Sequence, residues 1–172
     1  MTRNQKQSPH RSFLILLVVA LSATFITRCD RQDRSQVTDQ QRDRIVAEVQ
    51  QRLDQYAAAV TRKDVEAMLS FWSDSDDFVF AGDGSILGGF DAWAPVTRRD
   101  NDETQRWLYW NWRNVHILPL SLDAASATVE FEYSKISLQG NTVSGKGAWT
   151  YVLRRDVEGW KVVQSNGTHL QR

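Results

Sequence analysis

The feature that most constrains the fold is a change of hydrophobic period near Phe78, from helical spacing before it to strand spacing after it. Further strand-like segments cover 107–122, 143–154 and 160–170, with short polar turns between them. The alternation is clearest in 127–134, because successive side chains of a strand point to opposite faces. There the apolar positions are Ala127, Val129, Phe131 and Tyr133. The second half of the chain is therefore predicted to form an antiparallel sheet.

Helical spacing dominates the segment before that change. Thr38 and Gln41 form a capping-box sequence, and a helix with one buried apolar stripe is predicted over 39–61. Asp64 is the predicted cap of a second, short helix. Both helices present one apolar face, so we expect them to pack on the sheet.

A hairpin and a third helix link these two halves. The hairpin is predicted over 78–89, with turn chemistry at Gly82-Asp83-Gly84-Ser85, and the helix over 90–104. The order α-α-β-β-α-β-β-β-β predicts an α+β domain in which about three helices pack on a curved antiparallel sheet.

The first 29 residues have the layout of a targeting segment. Residues 1–12 carry three bases and no acid, and residues 13–27 are an apolar run. As a helix this run would span roughly 22 Å, short of the ~30 Å hydrocarbon core, which favours a secretory signal over a membrane span. Cleavage near Ala20-Leu21-Ser22, lipidation of Cys29 and an uncleaved anchor remain alternatives. We expect residues 1–29 to be a signal or a lipoprotein anchor, 30–38 a polar tether, and 39–172 the folded domain in the periplasm or cell envelope.

The charge and cysteine content exclude several classes of function. Lys plus Arg number 21 and Asp plus Glu number 21, and the targeting segment contains four of the bases, so the remaining chain is acidic. Such a domain is a poor partner for nucleic acid. Cys29 is the one cysteine in the sequence, which excludes a disulfide framework and, after removal of the leader, thiol chemistry. With three histidines, a Cys/His-rich zinc site is excluded, and no metal is expected.

Three stretches resemble a known superfamily: 57–72 (AAAVTRKDVEAMLSFW), 78–89 (FVFAGDGSILGG) and 147–169 (GAWTYVLRRDVEGWKVVQSNGTH). Together with the element order, they are similar to the nuclear transport factor 2-like superfamily, in its SnoaL-like and ketosteroid-isomerase-like branch. The resemblance covers about residues 40–170. It implies a cone, made by a bent sheet around the helices, with an apolar pocket at the open end. Members include isomerases, cyclases, dehydratases and binding or assembly domains, and homodimers through the sheet are common.

Strand phase predicts which side chains line that pocket. With Phe131 and Tyr133 facing inward, the inner faces are aromatic and carry no carboxylate. Gln164 and Asn166, where relatives often carry histidine, are either polar groups of the pocket or ordinary mid-strand residues; in the pocket they could hydrogen-bond but not act as a base near neutral pH. The candidate pocket residues are Tyr56, Trp72, Phe80, Trp93, Phe131, Tyr133, Trp149, Tyr151, Gln164 and Asn166.

A catalytic group is harder to assign. The resemblance implies a carboxylate base in the cone for isomerase-type enzymes, and Asp91, near the start of the third helix, is a candidate for it. Asp83 is interpreted as a turn residue. His116 and His169 are interpreted as surface or hydrogen-bonded histidines, because no carboxylate pattern accompanies them.

The stretch from Trp107 to Trp112 carries aromatic residues at four of six positions. Regular alternation would place Trp107 and Tyr109 on one face and Trp110 and Trp112 on the other. One of the two faces would then be exposed, or covered by a partner or a helix.

These observations favour an exported, envelope-associated domain that binds a small apolar or aromatic molecule without a cofactor. The alternatives are a cofactor-independent isomerase or dehydratase of the ketosteroid-isomerase-like type, and a tethered docking or assembly domain. Whether the chain is an enzyme stays open at this point.

Overall fold

The computed structural model describes residues 37–171. The predicted signal segment, Cys29 and nearly all of the tether lie outside the described residues. Among residues 37–171, no helix is both long enough and apolar enough to cross a membrane.

Three helices form where the sequence predicts them. They are α1 (Asp39–Arg62), α2 (Val65–Leu69) and α3 (Phe90–Glu103). The capping box at the start of α1 is confirmed, since the Thr38 hydroxyl accepts from the Gln41 amide and the Gln41 side chain accepts from the Thr38 amide at 2.9 Å. Asp64 caps α2 by accepting from the amide of Ala67 at 3.1 Å.

Within residues 37–171, six strands form one sheet in the order β2-β1-β6-β5-β4-β3. Their bounds are β1 (Val79–Gly82), β2 (Ser85–Gly88), β3 (Thr104–Pro119), β4 (Ala124–Ser137), β5 (Thr142–Asp156) and β6 (Gly159–Gln171). The pairs are antiparallel, as predicted, except that β1 runs parallel to β6, with Val79 beside Gln164 and Gly82 beside Gly167. Strand β2 pairs with one edge of β1 in the hairpin. The other edge of β1 is open, and β6 pairs with it in the parallel direction.

The core lies between α1 and the concave face of the curved, unclosed sheet. Val49 and Leu53 of α1 and Leu153 of β5 are fully buried, and Val129 of β4 is 1% exposed. The predicted α+β fold, with helices packed on a curved sheet, is confirmed.

Bulges in β3 and β6 change which side chains face the core. Trp107 pairs with Lys135 and Tyr109 with the adjacent Ser134, so Leu108 is an extra residue in β3. A bulge shifts the alternation by one position. Trp107, Trp110 and Trp112 consequently all pack against the core, whereas Leu108 and Tyr109 are exposed. The predicted division of these tryptophans between two faces is therefore wrong.

In β6, a bulge lies at Val163. Val152 pairs with Gln164 and Leu153 with Val162, which leaves Val163 without an opposite residue. Beyond it, Ser165 is fully buried while Gln164 is exposed.

Candidate functional site

A cavity of about 360 Å³ opens between α3, the β1–β2 hairpin and the concave face of the sheet. This volume suits a small organic molecule. Its apolar lining includes Val60, Met68, Phe80, Trp93, Trp107 and Trp110, and its polar lining is Asp83, Thr97, Asp100, Tyr133, Lys135 and His169. A void of about 60 Å³, lined by some of the same residues, lies beside it.

Stacked rings form the walls of the cavity and of the void beside it. Phe80 stacks on Trp93 with ring centroids 4.1 Å apart. Trp110 stacks on Phe131 at 5.3 Å and on Tyr133 at 5.7 Å, with interplanar angles of 6° and 13°. The cavity is therefore suited to flat, apolar ligands.

Glycines on β5 make room for these rings. A Cβ added at Gly145 would lie 2.7 Å from three atoms of the Tyr133 side chain, and one at Gly147 would lie 2.7 Å from the Phe131 ring. Because these positions lack side chains, the rings of β4 lie over β5 and approach His169 on β6. The ring centroids of Phe131 and His169 are 5.1 Å apart.

A carboxylate and a histidine meet at the mouth of the cavity. Asp83 and Gly84 have φ of 51° and 82°, the left-handed conformation of a tight hairpin turn. The parallel pairing of β1 with β6 places this turn beside His169, 86 positions later in the chain. Asp83 Oδ1 accepts from the His169 amide at 2.7 Å, and Asp83 Oδ2 lies 2.7 Å from His169 Nδ1.

The charge of Asp83 determines which nitrogen of the His169 ring carries the proton. Partial burial by itself raises the pKa of Asp83. The hydrogen bonds from the His169 amide and ring, together with the charge of the ring, outweigh this effect, so the pKa of Asp83 lies below its ordinary value. An ionised carboxylate can only accept, so Nδ1 is the donor. In the neutral ring Nε2 is then the acceptor, the arrangement that a general base requires. The Asp83 and His169 side chains are 46% and 32% exposed, which places the pair within reach of an entering molecule.

A second charged pair lies in the same cavity. Lys135 Nζ is 2.5 Å from Asp100 Oδ1 and 4.9 Å from the centre of the Trp107 ring. Burial raises the pKa of Tyr133, and the nearby carboxylates of Asp100 and Asp83 raise it further. The phenol therefore stays protonated at neutral pH and can donate a hydrogen bond to a ligand.

Several polar atoms in the cavity wall are buried without a hydrogen-bond partner. They are the indole Nε1 atoms of Trp93, Trp107 and Trp110 and the hydroxyl of Thr97. Each indole is a donor only.

Most of the predicted pocket residues line these two spaces. Tyr56, Phe80, Trp93 and Tyr133 line the cavity. The small void is lined by Trp72, Phe131, Trp149 and Tyr151, among others.

Three predicted polar positions lie elsewhere. Gln164 and Asn166 are exposed and line neither space, because the bulge at Val163 turns them to the other face of β6. Asp91 is exposed in the first turn of α3 and does not line the cavity.

Sequence reasoning missed the Asp83–His169 pair. A long-range parallel pairing and a bulge together bring the two residues into contact, and neither has a local sequence signature. The sequence does predict Asp83 as a turn residue. A carboxylate held on a tight turn was therefore the one available signal for this part of the site. Within residues 37–171, no three His, Cys, Asp or Glu side chains come together in a way that could hold a metal ion.

Comparison with known proteins agrees with the resemblance seen in the sequence. The sequence pattern of the SnoaL-like domain matches residues 49–168. No curated protein matches the sequence significantly.

Several solved structures share the fold. A protein from Novosphingobium aromaticivorans proposed to be a scytalone dehydratase is 10% identical, with a TM-score of 0.70 over 77% of this chain and 89% of its own. A hexachlorocyclohexane dehydrochlorinase from Novosphingobium barchaimii is 15% identical, with a TM-score of 0.64 over 78% and 93%. A ketosteroid isomerase-like protein from Erwinia carotovora is 19% identical, with a TM-score of 0.60 over 73% and 96%. At these identities the likeness establishes the nuclear transport factor 2-like fold alone.

Proposed function

We propose that this chain, which belongs to the SnoaL-like domain family, binds a small aromatic or alicyclic molecule in its cavity and removes a proton from carbon with His169. The observation that carries the proposal is the Asp83–His169 pair at the mouth of an aromatic cavity. The reaction class is that of a cofactor-independent dehydratase or isomerase.

The chemistry follows from the hydrogen bonds of the pair. His169 Nε2 takes the proton as the C–H bond breaks. The electron pair of that bond is delocalised into an enolate or, in an elimination, forms the new C=C bond while a β-substituent leaves with the electron pair of its own bond to carbon. Asp83 stabilises the imidazolium that forms and holds the ring in orientation through Oδ2. Tyr133 lines the same cavity and can stabilise negative charge that develops on the ligand.

The names of two structural neighbours agree with this class. A dehydratase removes water from its substrate and a dehydrochlorinase removes hydrogen chloride. Both are eliminations in which a proton leaves carbon. The neighbours share the fold, and the His–Asp pair of this chain supplies the base.

The experiment is hydrogen–deuterium exchange of 2-tetralone, a small bicyclic ketone with acidic C–H bonds, followed by NMR in deuterated buffer. The wild-type chain should accelerate exchange, and His169→Gln should lower the rate on the order of 10²-fold or more. His116→Gln is the matched control, because His116 is exposed on β3 and does not line the cavity. An equal rate for wild type and His169→Gln would contradict the proposal.

Binding without chemistry is the second candidate function, favoured by the stacked rings that form the cavity walls. In that case 2-tetralone would bind to the wild-type chain without exchanging faster than in buffer. The docking alternative loses the observation that motivated it, since Trp107, Trp110 and Trp112 pack against the core.

Export to the periplasm or cell envelope, with the membrane reached through the N-terminal segment, is proposed from the sequence of residues 1–29. Fractionation of cells that produce the wild-type chain and Cys29→Ser tests it. Cytoplasmic recovery of both would contradict export, and release of the variant alone from the membrane would identify Cys29 as the anchor. Size-exclusion chromatography with light scattering tests the expected homodimer.

A further inference from the structure

Lys135 is an unusually buried cation for a cavity lined by aromatic rings. Its side chain is 13% exposed, whereas that of its partner Asp100 is 50% exposed. An ammonium group has three donors, and Asp100 Oδ1 accepts from one of them. Withdrawal of a charge from water is unfavourable unless further partners compensate for it. The ammonium therefore has capacity for a second anionic partner.

The distance between Lys135 and His169, the proposed base, sets the length of a ligand that could reach both side chains. Phe131, Tyr133 and Lys135 are alternate residues on the inner face of β4. The ring centroid of His169 lies 5.1 Å from that of Phe131 and 6.5 Å from that of Tyr133. Lys135 is one step further along the strand, and each step of two residues advances about 6.6 Å. By this spacing the His169 ring and the Lys135 ammonium are roughly 10 Å apart, with Tyr133 between them along β4.

The remaining polar groups of the cavity also favour a ligand that accepts hydrogen bonds. The two carboxylates are already engaged, Asp83 by His169 and Asp100 by Lys135. Lys135 and Tyr133 also line the cavity, and both carry donor groups: the ammonium has one carboxylate acceptor in Asp100, and the phenol is protonated. The cavity therefore offers a ligand a cation and a phenol as donors.

We propose that Lys135 binds an anionic oxygen of the ligand, so that the substrates are planar acids about the length of two fused rings. The carboxylate or phenolate end lies on Lys135 Nζ, and the acidic C–H bond lies towards His169. This inference rests on the proposed function, because it names the substrate class of the same cavity.

The test compares 2-naphthoate with its neutral isostere 2-naphthamide by isothermal titration calorimetry on the full chain. The wild-type chain should bind the naphthoate at least about 10-fold more tightly, and Lys135→Gln should bind both with similar affinity. Lys135→Arg should keep the preference. Asp100→Asn should increase it, since the ammonium loses its competing carboxylate. Lys146→Gln is the matched control, because Lys146 is exposed on the outer face of β5.

Several outcomes would overturn the inference. Equal affinities in the wild-type chain, or a preference for the naphthoate that survives in Lys135→Gln, would exclude Lys135 as the anion-binding group. Should Lys135→Gln fail to fold, an unchanged or smaller preference in Asp100→Asn would exclude it independently. None of these results touches the exchange of 2-tetralone, a neutral ketone, so failure of this inference and failure of the proposed function are distinguishable.

Discussion

Gly145→Ala tests whether the cavity floor is packed as the structure shows. The added Cβ would lie 2.7 Å from Cε1, Cζ and Oη of Tyr133, where ordinary van der Waals contact begins near 3.4 Å. The ring must therefore move by about 0.7 Å, the difference between these two distances, and its neighbours Trp107 and Trp110 limit that movement. Overpacking of a core typically costs about 1–3 kcal/mol. Loss of glycine's freedom in the unfolded chain offsets about 0.4–1 kcal/mol of this.

The expected net loss in the free energy of unfolding is about 1–2 kcal/mol, or about 3–8 °C in Tm for a domain of this size. Differential scanning calorimetry measures it. Gly88→Ala is the matched control, since no atom lies within 4 Å of the added Cβ and its φ is not in the left-handed region. Its stability should stay within about 0.5 kcal/mol of wild type.

A double-mutant cycle separates the ring contact from any backbone effect. Tyr133→Leu removes the atoms that clash, so Gly145→Ala should cost little in that background. If Gly145→Ala is as stable as Gly88→Ala in the wild-type background, the ring of Tyr133 does not lie over β5 as described.

Two further predictions concern stability away from the cavity. The hydrogen bond from Trp160 lowers the pKa of Glu48 most, burial opposes it, and Arg44 and Arg155 lower it further. A carboxylate with a lowered pKa stabilises the fold above its unfolded pKa of about 4.3 and loses that contribution as the pH falls through the folded value. Glu48→Gln should therefore lower the free energy of unfolding by about 1 kcal/mol at pH 7, a value discounted for partial exposure, and by almost nothing near pH 3. Urea titrations at both pH values measure this difference. An equal loss at both pH values would contradict the prediction. Thr38→Ala removes the capping box of α1 and should cost about 0.5–2 kcal/mol in the same assay, whereas no loss would show that the start of the helix frays.

The extent to which the fold follows from sequence depends on whether a pattern is local. The period change near Phe78, the caps at Thr38 and Asp64 and the turn at Asp83 are local signals, and the structure confirms the elements they predict. The parallel pairing of β1 with β6 is not local, because those strands are separated in the chain by α3 and four other strands.

The candidate site was predicted in its apolar part and missed in its polar part. Phe131 and Tyr133 lie in a regular stretch of β4, so simple alternation placed them correctly on the inner face. One extra residue, Val163, reverses the alternation in β6. As a result Gln164 faces outward, and His169 lies on the inner face. Bulges have no reliable sequence signature, so strand phase beyond one could not be predicted.

The position of the proton on the His169 ring decides most directly whether this histidine can act as the base. Long-range ¹H–¹⁵N NMR of the chain labelled at histidine distinguishes the protonated nitrogen from the one with a free lone pair. In the neutral ring of wild type, we expect the proton on Nδ1 and the lone pair on Nε2, and we expect Asp83→Asn to lose this preference. A proton on Nε2 in wild type would leave the cavity without a base at His169 and would contradict the proposed chemistry.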